Sequence, residues 1–116
     1  MEVGSIYLLP ILFMIVNGIK WNIVFTNNPY DLELNGTVRL GITDRNTHTI
    51  YIHNSLQGEM LKKVLLHELT HAWLFSYGYD LSVEIEEMLC GFVDTFLFDL
   101  SETLDTLLEN KTSKAL

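Results

Sequence analysis

The sequence predicts a single domain of the α+β class, with a small sheet first and helices after it. Three observations support this prediction. β-rich runs surround an Asn-Gly pair at positions 17–18, an alternating run occupies residues 48–53, and long stretches with helical periodicity begin after residue 55. A chain of 116 residues holds one hydrophobic core, so the predicted domain spans residues 1–116.

The first half of the chain is typical of strands and turns. Asn17-Gly18 predicts a hairpin turn between strands at 15–16 and 19–25, because both turn positions need a positive φ. Residues 26–34 are predicted as a loop, 37–42 as a short strand and 44–46 as a turn. Residues 48–53 alternate, so that Ile50 and Ile52 share one face of a strand.

The second half of the chain predicts helices. Ser55 is expected to cap a helix over residues 56–77 that ends at Gly78, and Ser82 to cap a second helix over residues 83–100. A third helix is expected over residues 101–108. On the second helix, a spacing of 100° per residue groups an apolar stripe that we expect to face the core: Ile85, Leu89, Phe92, Phe96 and Leu100. Another face carries Glu87, Cys90, Gly91 and Asp94.

The apolar run at residues 6–16 needs its own interpretation. Its eleven residues are too few to cross ~30 Å of hydrocarbon, which takes about 20. Glu2 precedes it, whereas a secretory signal begins with basic residues. We therefore expect no membrane role. Residues 1–13 are interpreted as an upstream extension before a start at Met14, or as an extra packed strand.

Composition narrows the functional classes. With 48% hydrophobic residues and 2 prolines, the chain is not disordered over most of its length. Fifteen acidic residues against seven basic ones give a net charge of −8, which disfavours binding to nucleic acid. Cys90 is the only cysteine, so an internal disulfide is excluded and a reducing compartment, the cytoplasm, is expected.

The candidate chemistry is concentrated in the first long helix. His67-Glu68-Leu69-Thr70-His71 is an HExxH motif, in which histidines at i and i+4 share a helix face and can bind one Zn²⁺. Glu68 lies beside them, where a carboxylate can take a proton from metal-bound water. The alternative is a pair of histidines that caps or lines a core without metal. Apolar flanks at 64–66 and 72–75 favour the metal site.

The third zinc ligand must come from elsewhere, since a catalytic zinc site usually has three protein ligands and one open position. The second helix offers the candidates Glu84, Glu86 and Glu87. Acidic clusters on helices are usually solvated, so at least two of the three are expected to face water. Glu87 is favoured, because small residues on its face, Cys90 and Gly91, permit close approach of a neighbouring helix. Glu86 and Glu84 stay open as alternatives.

Residues 50–98 resemble the small ImmA/IrrE-like zinc metallopeptidases, especially compact members from phages and Gram-positive bacteria. The resemblance rests on a strand, then the HELTH segment at 67–71 followed by Ala72, then a helix with glutamate. Glu87-Met88-Leu89-Cys90 matches the E-x-x-small arrangement of gluzincins. The family's longer pattern, E-x-x-A-x-x-F-A, places the ligand at Glu86 instead, with Leu89 at its small position.

The resemblance implies a minimal zincin-like core, in which a small antiparallel sheet is followed by the motif helix and a second, ligand-donating helix. It implies a zinc-dependent hydrolase, a metallopeptidase with His67, His71 and Glu87 as ligands and Glu68 as general base. A peptide substrate would extend along the strand that ends at His53. The implied partner is a peptide or protein substrate, for instance a regulatory protein, with neither nucleic acid nor membrane; the oligomeric state stays open.

Two questions remain open at the level of sequence. Four residues are candidates for donating a hydrogen bond to the oxyanion that forms during peptide hydrolysis: His48, His53, Tyr77 and Tyr79. The alternative function is a binding or regulatory module of a phage or mobile element, in which zinc only stabilises a small core. The intact Glu68 argues against that alternative, because a structural zinc site has no need of a general base.

Overall fold

The architecture, described over residues 12–115 by a computed structural model, is α+β as predicted. The strands are β1 (Leu12–Val16), β2 (Ile19–Thr26), β3 (Glu33–Leu34), β4 (Thr37–Val38), β5 (Gly41–Asp44) and β6 (Thr49–His53). The helices are α1 (Pro29–Leu32), α2 (Gly58–Ser76) and α3 (Val83–Ala115). Most of the predicted extension, residues 1–11, lies outside the described residues, whereas Leu12 and Phe13 belong to β1.

A four-stranded sheet with the order β1-β2-β6-β5 is built on the predicted hairpin. Asn17 and Gly18 have φ values of 48° and 79°, as a two-residue turn requires. β2 runs parallel to β6, while the β1–β2 and β5–β6 pairs are antiparallel. The expectation of an antiparallel sheet is therefore wrong. The segment from 27 to 48 is long enough for the crossover that a parallel pair needs.

β5, and not β6, forms the edge of the sheet beside the helices. β6 is hydrogen-bonded to β2 on one side and to β5 on the other. The expectation that a peptide adds along the strand ending at His53 is therefore wrong. The strand predicted over 37–42 is divided between β4 and β5, because Arg39 bonds Leu32 and Leu40 bonds His53 through the backbone.

The core lies between the sheet and α2. Trp21, Ile50, Ile52 and Ala72 are fully buried there, and Ile50 and Ile52 share a face as their spacing predicts. The Trp21 indole N–H donates to the hydroxyl of Ser76 at 2.8 Å, which ties the hairpin to the end of α2. These contacts hold α2 across the sheet.

α3 is one continuous helix of 33 residues, so the separate helix expected over 101–108 is wrong. Neither glycine nor proline interrupts the chain after Gly91. Ser82 caps α3 as predicted, since its hydroxyl accepts the Ile85 N–H at 3.3 Å. The cap predicted at Ser55 is wrong, because α2 begins at Gly58 and Gln57 is the residue before it. α3 runs antiparallel to α2, with Glu86 beside His71 and Phe98 beside Lys62. Most of α3 after Phe98 extends past the beginning of α2.

The apolar stripe predicted for the core side of α3 faces solvent instead, and that prediction is wrong. Its five residues are 37–54% exposed: Ile85, Leu89, Phe92, Phe96 and Leu100. Glu86, Cys90 and Asp94 face α2 in their place. The polar contacts decide this orientation, because two of these side chains bond to histidines of α2 and the small Cys90 lets the helices approach. Gly91 adds nothing to that approach, since a methyl group there would meet no atom within 4 Å.

Within residues 12–115, no helix has the length and apolar character to cross a membrane.

Candidate metal centre

His67 and His71 lie one turn apart on α2 and both face α3. The Nδ1 atom of His67 lies 2.7 Å from Oδ2 of Asp94, and Nδ1 of His71 lies 2.5 Å from Oε2 of Glu86. A carboxylate only accepts hydrogen bonds, so each imidazole directs an Nδ1–H to its carboxylate partner. This arrangement leaves Nε2 of each ring as the atom through which the histidine could bind a metal.

Glu87 approaches the two remaining ring nitrogens. Its Oε1 lies 3.0 Å from Nε2 of His71, and its Oε2 lies 3.3 Å from Nε2 of His67. Two ligand atoms at about 2.1 Å from a tetrahedral zinc are separated by roughly 3.4 Å. The two distances, one to each oxygen of the carboxylate, are close to this separation, so Glu87 lies within reach of a zinc ion bound by the two imidazoles. The Glu87 side chain is 53% exposed, so this point is open to solvent.

Cys90 offers a second ligand set. The ligand atoms of His67, His71 and Cys90 lie within 4.8 Å of one another, so this group could also hold a metal ion. Burial raises the pKa of the Cys90 thiol to about 12, together with the charges of nearby carboxylates, of which Glu87 contributes most. A metal ligand is a thiolate, and a bound metal ion would itself deprotonate the thiol, so this raised pKa belongs to the metal-free chain. The structure therefore offers two ligand sets, His67 and His71 with either Glu87 or Cys90.

Glu68 is buried beside the histidines and is held by β5. The Thr43 hydroxyl donates to its Oε1 at 2.8 Å. Burial raises the pKa of the Glu68 carboxyl, and this outweighs the lowering by Thr43 and the two histidines. A carboxylate with a raised pKa is a better proton acceptor near neutral pH.

Gly41 permits the close contact between β5 and α2. A methyl group at this position would lie 2.8 Å from Cγ1 of Val64 and 3.0 Å from Cγ of Glu68. Both distances are shorter than ordinary carbon–carbon contacts. A glycine at position 41 is therefore what allows Thr43, two residues further on, to reach Glu68.

Each histidine belongs to a cation–carboxylate–histidine chain. Nη2 of Arg45 lies 2.5 Å from Oε2 of Glu86, and Nζ of Lys63 lies 2.8 Å from Oδ1 of Asp94. Burial alone raises the pKa of the Glu86 carboxyl, but hydrogen bonds from His71 and Arg45 bring it below its ordinary value. Burial acts on Asp94 in the same way, and its bonds to Lys63 and His67 lower its pKa. Both carboxylates stay ionised and keep the imidazoles in place.

Two cavities border these side chains. The smaller, of about 200 Å³, is lined by Gly41, Ile42 and Thr43 of β5 and by the residues of the centre, His67, Glu68, His71 and Glu87 among them. The larger, of about 520 Å³, lies toward the beginning of α2. Both are lined by Arg39, Gly41, His67 and Glu68, so the two cavities lie side by side along β5 and α2 and are together called the groove.

The structure brings together four of the residues selected from the sequence: His67, Glu68, His71 and Glu87. Glu86 is also at the site, but its carboxylate bonds Nδ1 of His71 and Arg45. Glu84 is exposed. The expectation that at least two of the three glutamates face water is confirmed, since Glu84 and Glu87 are exposed and Glu86 is buried. Glu87 nevertheless contacts both histidines.

The four candidates for oxyanion stabilisation do not line either cavity of the described region. His48 packs against the rings of Trp21 and Phe75. His53 accepts the backbone N–H of Ser55 at 3.1 Å, and Tyr77 and Tyr79 are exposed beyond the end of α2. Arg39, which lines both cavities, was not selected from the sequence.

Sequence reasoning also missed the supporting residues Gly41, Thr43, Arg45 and Lys63. The sequence around these residues gives no indication of a role. Gly41 and Thr43 lie on β5 and Arg45 lies in the turn after it, and their position at the site depends on how the sheet packs against α2. Asp94 did carry a signal, since it shares a helix face with Glu87, but the sequence assigned it no role.

Comparison with known proteins finds no matching family model, no matching curated protein and no matching solved structure.

Proposed function

We propose that the chain is a zinc-dependent metallopeptidase with a minimal zincin-like fold, similar to the ImmA/IrrE-like family. The observation that carries the proposal is the convergence of Nε2 of His67, Nε2 of His71 and the Glu87 carboxylate next to buried Glu68. His67, His71 and Glu87 would hold the zinc and leave one position open. When bound, zinc supplies a Lewis acid that polarises a peptide carbonyl and acidifies water.

The residues of the chain divide the remaining work. Glu68 accepts the proton of the attacking water and passes it to the leaving amine. Thr43 bonds one oxygen of Glu68 and so holds the carboxylate beside the histidines. Asp94 and Glu86 fix the orientation of the two imidazoles, as the carboxylate partners of metal-bound histidines do. The substrate is a peptide or protein chain that lies in the groove.

Glu68→Gln tests the proposal. The variant is expected to fold and to bind about one zinc per chain, because Glu68 is not a ligand. Its peptide hydrolysis should fall by about 10²–10⁴-fold, since an amide cannot accept the proton. Zinc is measured by elemental analysis of protein prepared without chelators or metal-affinity resin, and hydrolysis by mass spectrometry of a mixed peptide pool.

The controls for this experiment lie on the same two helices. Glu84→Gln makes the same chemical change at an exposed position of α3 and should have wild-type zinc content and activity. His67→Ala and His71→Ala should lose zinc. Loss of zinc in Glu68→Gln would contradict the proposal, because Glu68 would then belong to the metal-binding or structural residues.

A zinc-stabilised binding module is the second candidate, and the position of Cys90 favours it. If Cys90 joined His67, His71 and Glu87, four ligands would close the site, as in structural zinc centres. Cobalt substitution separates the two candidates, because a thiolate ligand produces a sulfur-to-cobalt charge-transfer band. The peptidase proposal expects no such band, and an unchanged zinc affinity in Cys90→Ala.

A further inference from the structure

The larger cavity continues directly from the candidate metal centre and has apolar walls. Val38 and Leu40 form one side, and Met60 and Val64 of α2 form the other, while His67 and Glu68 lie at its inner end. Val38, Leu40 and Met60 are 45–57% exposed. Its volume of about 520 Å³ falls in the range of ligand-binding pockets.

β5 gives the groove an edge to which a peptide can add. The strand pairs with β6 on one side, and no strand of the described residues pairs with its other side. Its residues Gly41, Ile42 and Thr43 line the smaller cavity. An extended peptide that adds to this edge passes His67 and Glu68, and its side chains point alternately to opposite sides. One residue next to the scissile bond therefore faces the larger cavity.

We propose that the larger cavity is a specificity recess, which accepts the bulky apolar side chain of Leu, Ile, Met or Phe from a substrate residue adjacent to the scissile bond. This inference rests on the proposed peptidase function. A small substrate side chain leaves the four apolar residues of the cavity exposed to water, whereas a bulky apolar side chain covers them and removes their surface from water. Lys63 at the rim is already paired with Asp94, so the α2 side presents no unpaired cation to an acidic substrate side chain.

Cleavage profiling tests the preference. The zinc-loaded chain is incubated with a peptide pool in which all residues are equally represented, and the cut sites are identified by mass spectrometry. Leu, Ile, Met and Phe should be enriched at least about tenfold over Gly, Ala and Asp at one position beside the cut.

Variants of the walls connect that preference to the recess. Met60→Glu and Val38→Asp place a carboxylate on opposite walls, and each should lower the enrichment by about tenfold or more while zinc content stays at the wild-type level. Met88→Glu is the matched control, since Met88 is 65% exposed on α3 and lines neither cavity. It should keep the wild-type profile.

A binding measurement is independent of hydrolysis. N-acetyl-leucine methylamide at millimolar concentration is added to the Glu68→Gln chain and followed by NMR. The backbone amides of Gly41 and Val64 should shift, N-acetyl-glycine methylamide should shift neither, and Met60→Glu should abolish the effect of the leucine probe.

The outcomes separate the two proposals. Cleavage without an apolar preference, a preference for Asp or Glu near Arg39, or a profile that both wall variants leave unchanged overturns the recess. Absence of any cleavage contradicts the peptidase, and the NMR result then decides the recess alone. A shift with the leucine probe upholds an apolar pocket, and no shift overturns it.

Discussion

Two residues of β5, a strand that is distant in sequence, position the side chain of Glu68. Thr43 bonds its carboxylate, and Gly41 leaves the space in which its side chain lies. An HExxH segment provides the glutamate, but a local helix cannot hold that carboxylate in one rotamer. β5 supplies this restraint, so the proposed general base depends on contacts between strand and helix.

Gly41→Ala is expected to displace Glu68 without removing a ligand. The added methyl group would meet Val64 at 2.8 Å and Glu68 at 3.0 Å. Hydrolysis should fall at least about tenfold, since a misplacement of about 1 Å can cost 10²-fold. The free energy of unfolding should fall by about 1–3 kcal/mol, as measured by chemical denaturation.

Gly91→Ala is the matched control for this substitution. Its methyl group would meet no atom within 4 Å, and it replaces a glycine inside a helix. The unfolding free energy should therefore rise by about 0.5–1 kcal/mol. Wild-type hydrolysis in Gly41→Ala would contradict the role assigned to the contact between β5 and Glu68.

Cys90 is expected to resist alkylation in the folded, zinc-free chain. Burial and neighbouring carboxylates raise the pKa of its thiol to about 12. A raised pKa favours the neutral thiol, so at pH 8 the folded chain should contain roughly 10³-fold less thiolate than the unfolded chain. Iodoacetamide labelling at pH 7, 8 and 9, followed by mass spectrometry, measures the difference. Equal labelling rates for folded and guanidinium-unfolded protein would show that the thiol is neither buried nor surrounded by negative charge.

The contact between α2 and α3 is polar at the candidate metal centre. Glu86, Cys90 and Asp94 follow one another at four-residue intervals on α3 and face the histidines of α2. Each carboxylate satisfies an Nδ1–H and is itself paired with a cation. Helical periodicity of apolar residues selected the opposite face of α3, because it measures hydrophobicity and contains no information about specific hydrogen bonds.

Asp94→Ala is expected to weaken zinc binding by about 10–100-fold, because His67 loses the partner that orients its ring. The zinc dissociation constant is measured by competition with a chromophoric chelator. Asp99→Ala, at an exposed position of the same helix, is the control and should bind zinc as the wild type does. Equal affinities in the two variants would exclude a supporting role for Asp94.

At the scale of the whole molecule, the chain is elongated, with extents of 61 × 41 × 28 Å. The end of α3 contributes to this shape, since it continues beyond the last described contact with α2, at Phe98. Leu104, Leu107 and Leu108 on this part are 53–60% exposed. The core and the candidate metal centre therefore occupy the other end of the molecule.

Truncation of α3 after Glu102 is expected to leave zinc affinity within about twofold of the full chain, because the removed residues lie beyond the contact with α2. Truncation after Val93 should weaken zinc binding by about tenfold or more, because it also removes Asp94. Chelator competition measures both affinities, and circular dichroism verifies the fold. A large loss of affinity in the chain that ends at Glu102 would mean that the end of α3 supports the centre.

The sequence by itself determined the features that depend on a few neighbouring residues. Asn17-Gly18 predicts the hairpin, because its backbone conformation is local. The i, i+4 spacing places His67 and His71 on one face, because helix geometry requires it. The strands before the helices predict the α+β class.

Only the tertiary structure decided how these pieces meet. It placed β6 inside the sheet and β5 at its edge, turned Glu86 and Asp94 toward α2, and brought Thr43 to Glu68. Thr43 and Glu68 are separated by 25 residues, and Arg45 and Glu86 by 41. Contacts between residues so far apart in sequence depend on the three-dimensional path of the whole chain, so the periodicity of a single segment cannot predict them.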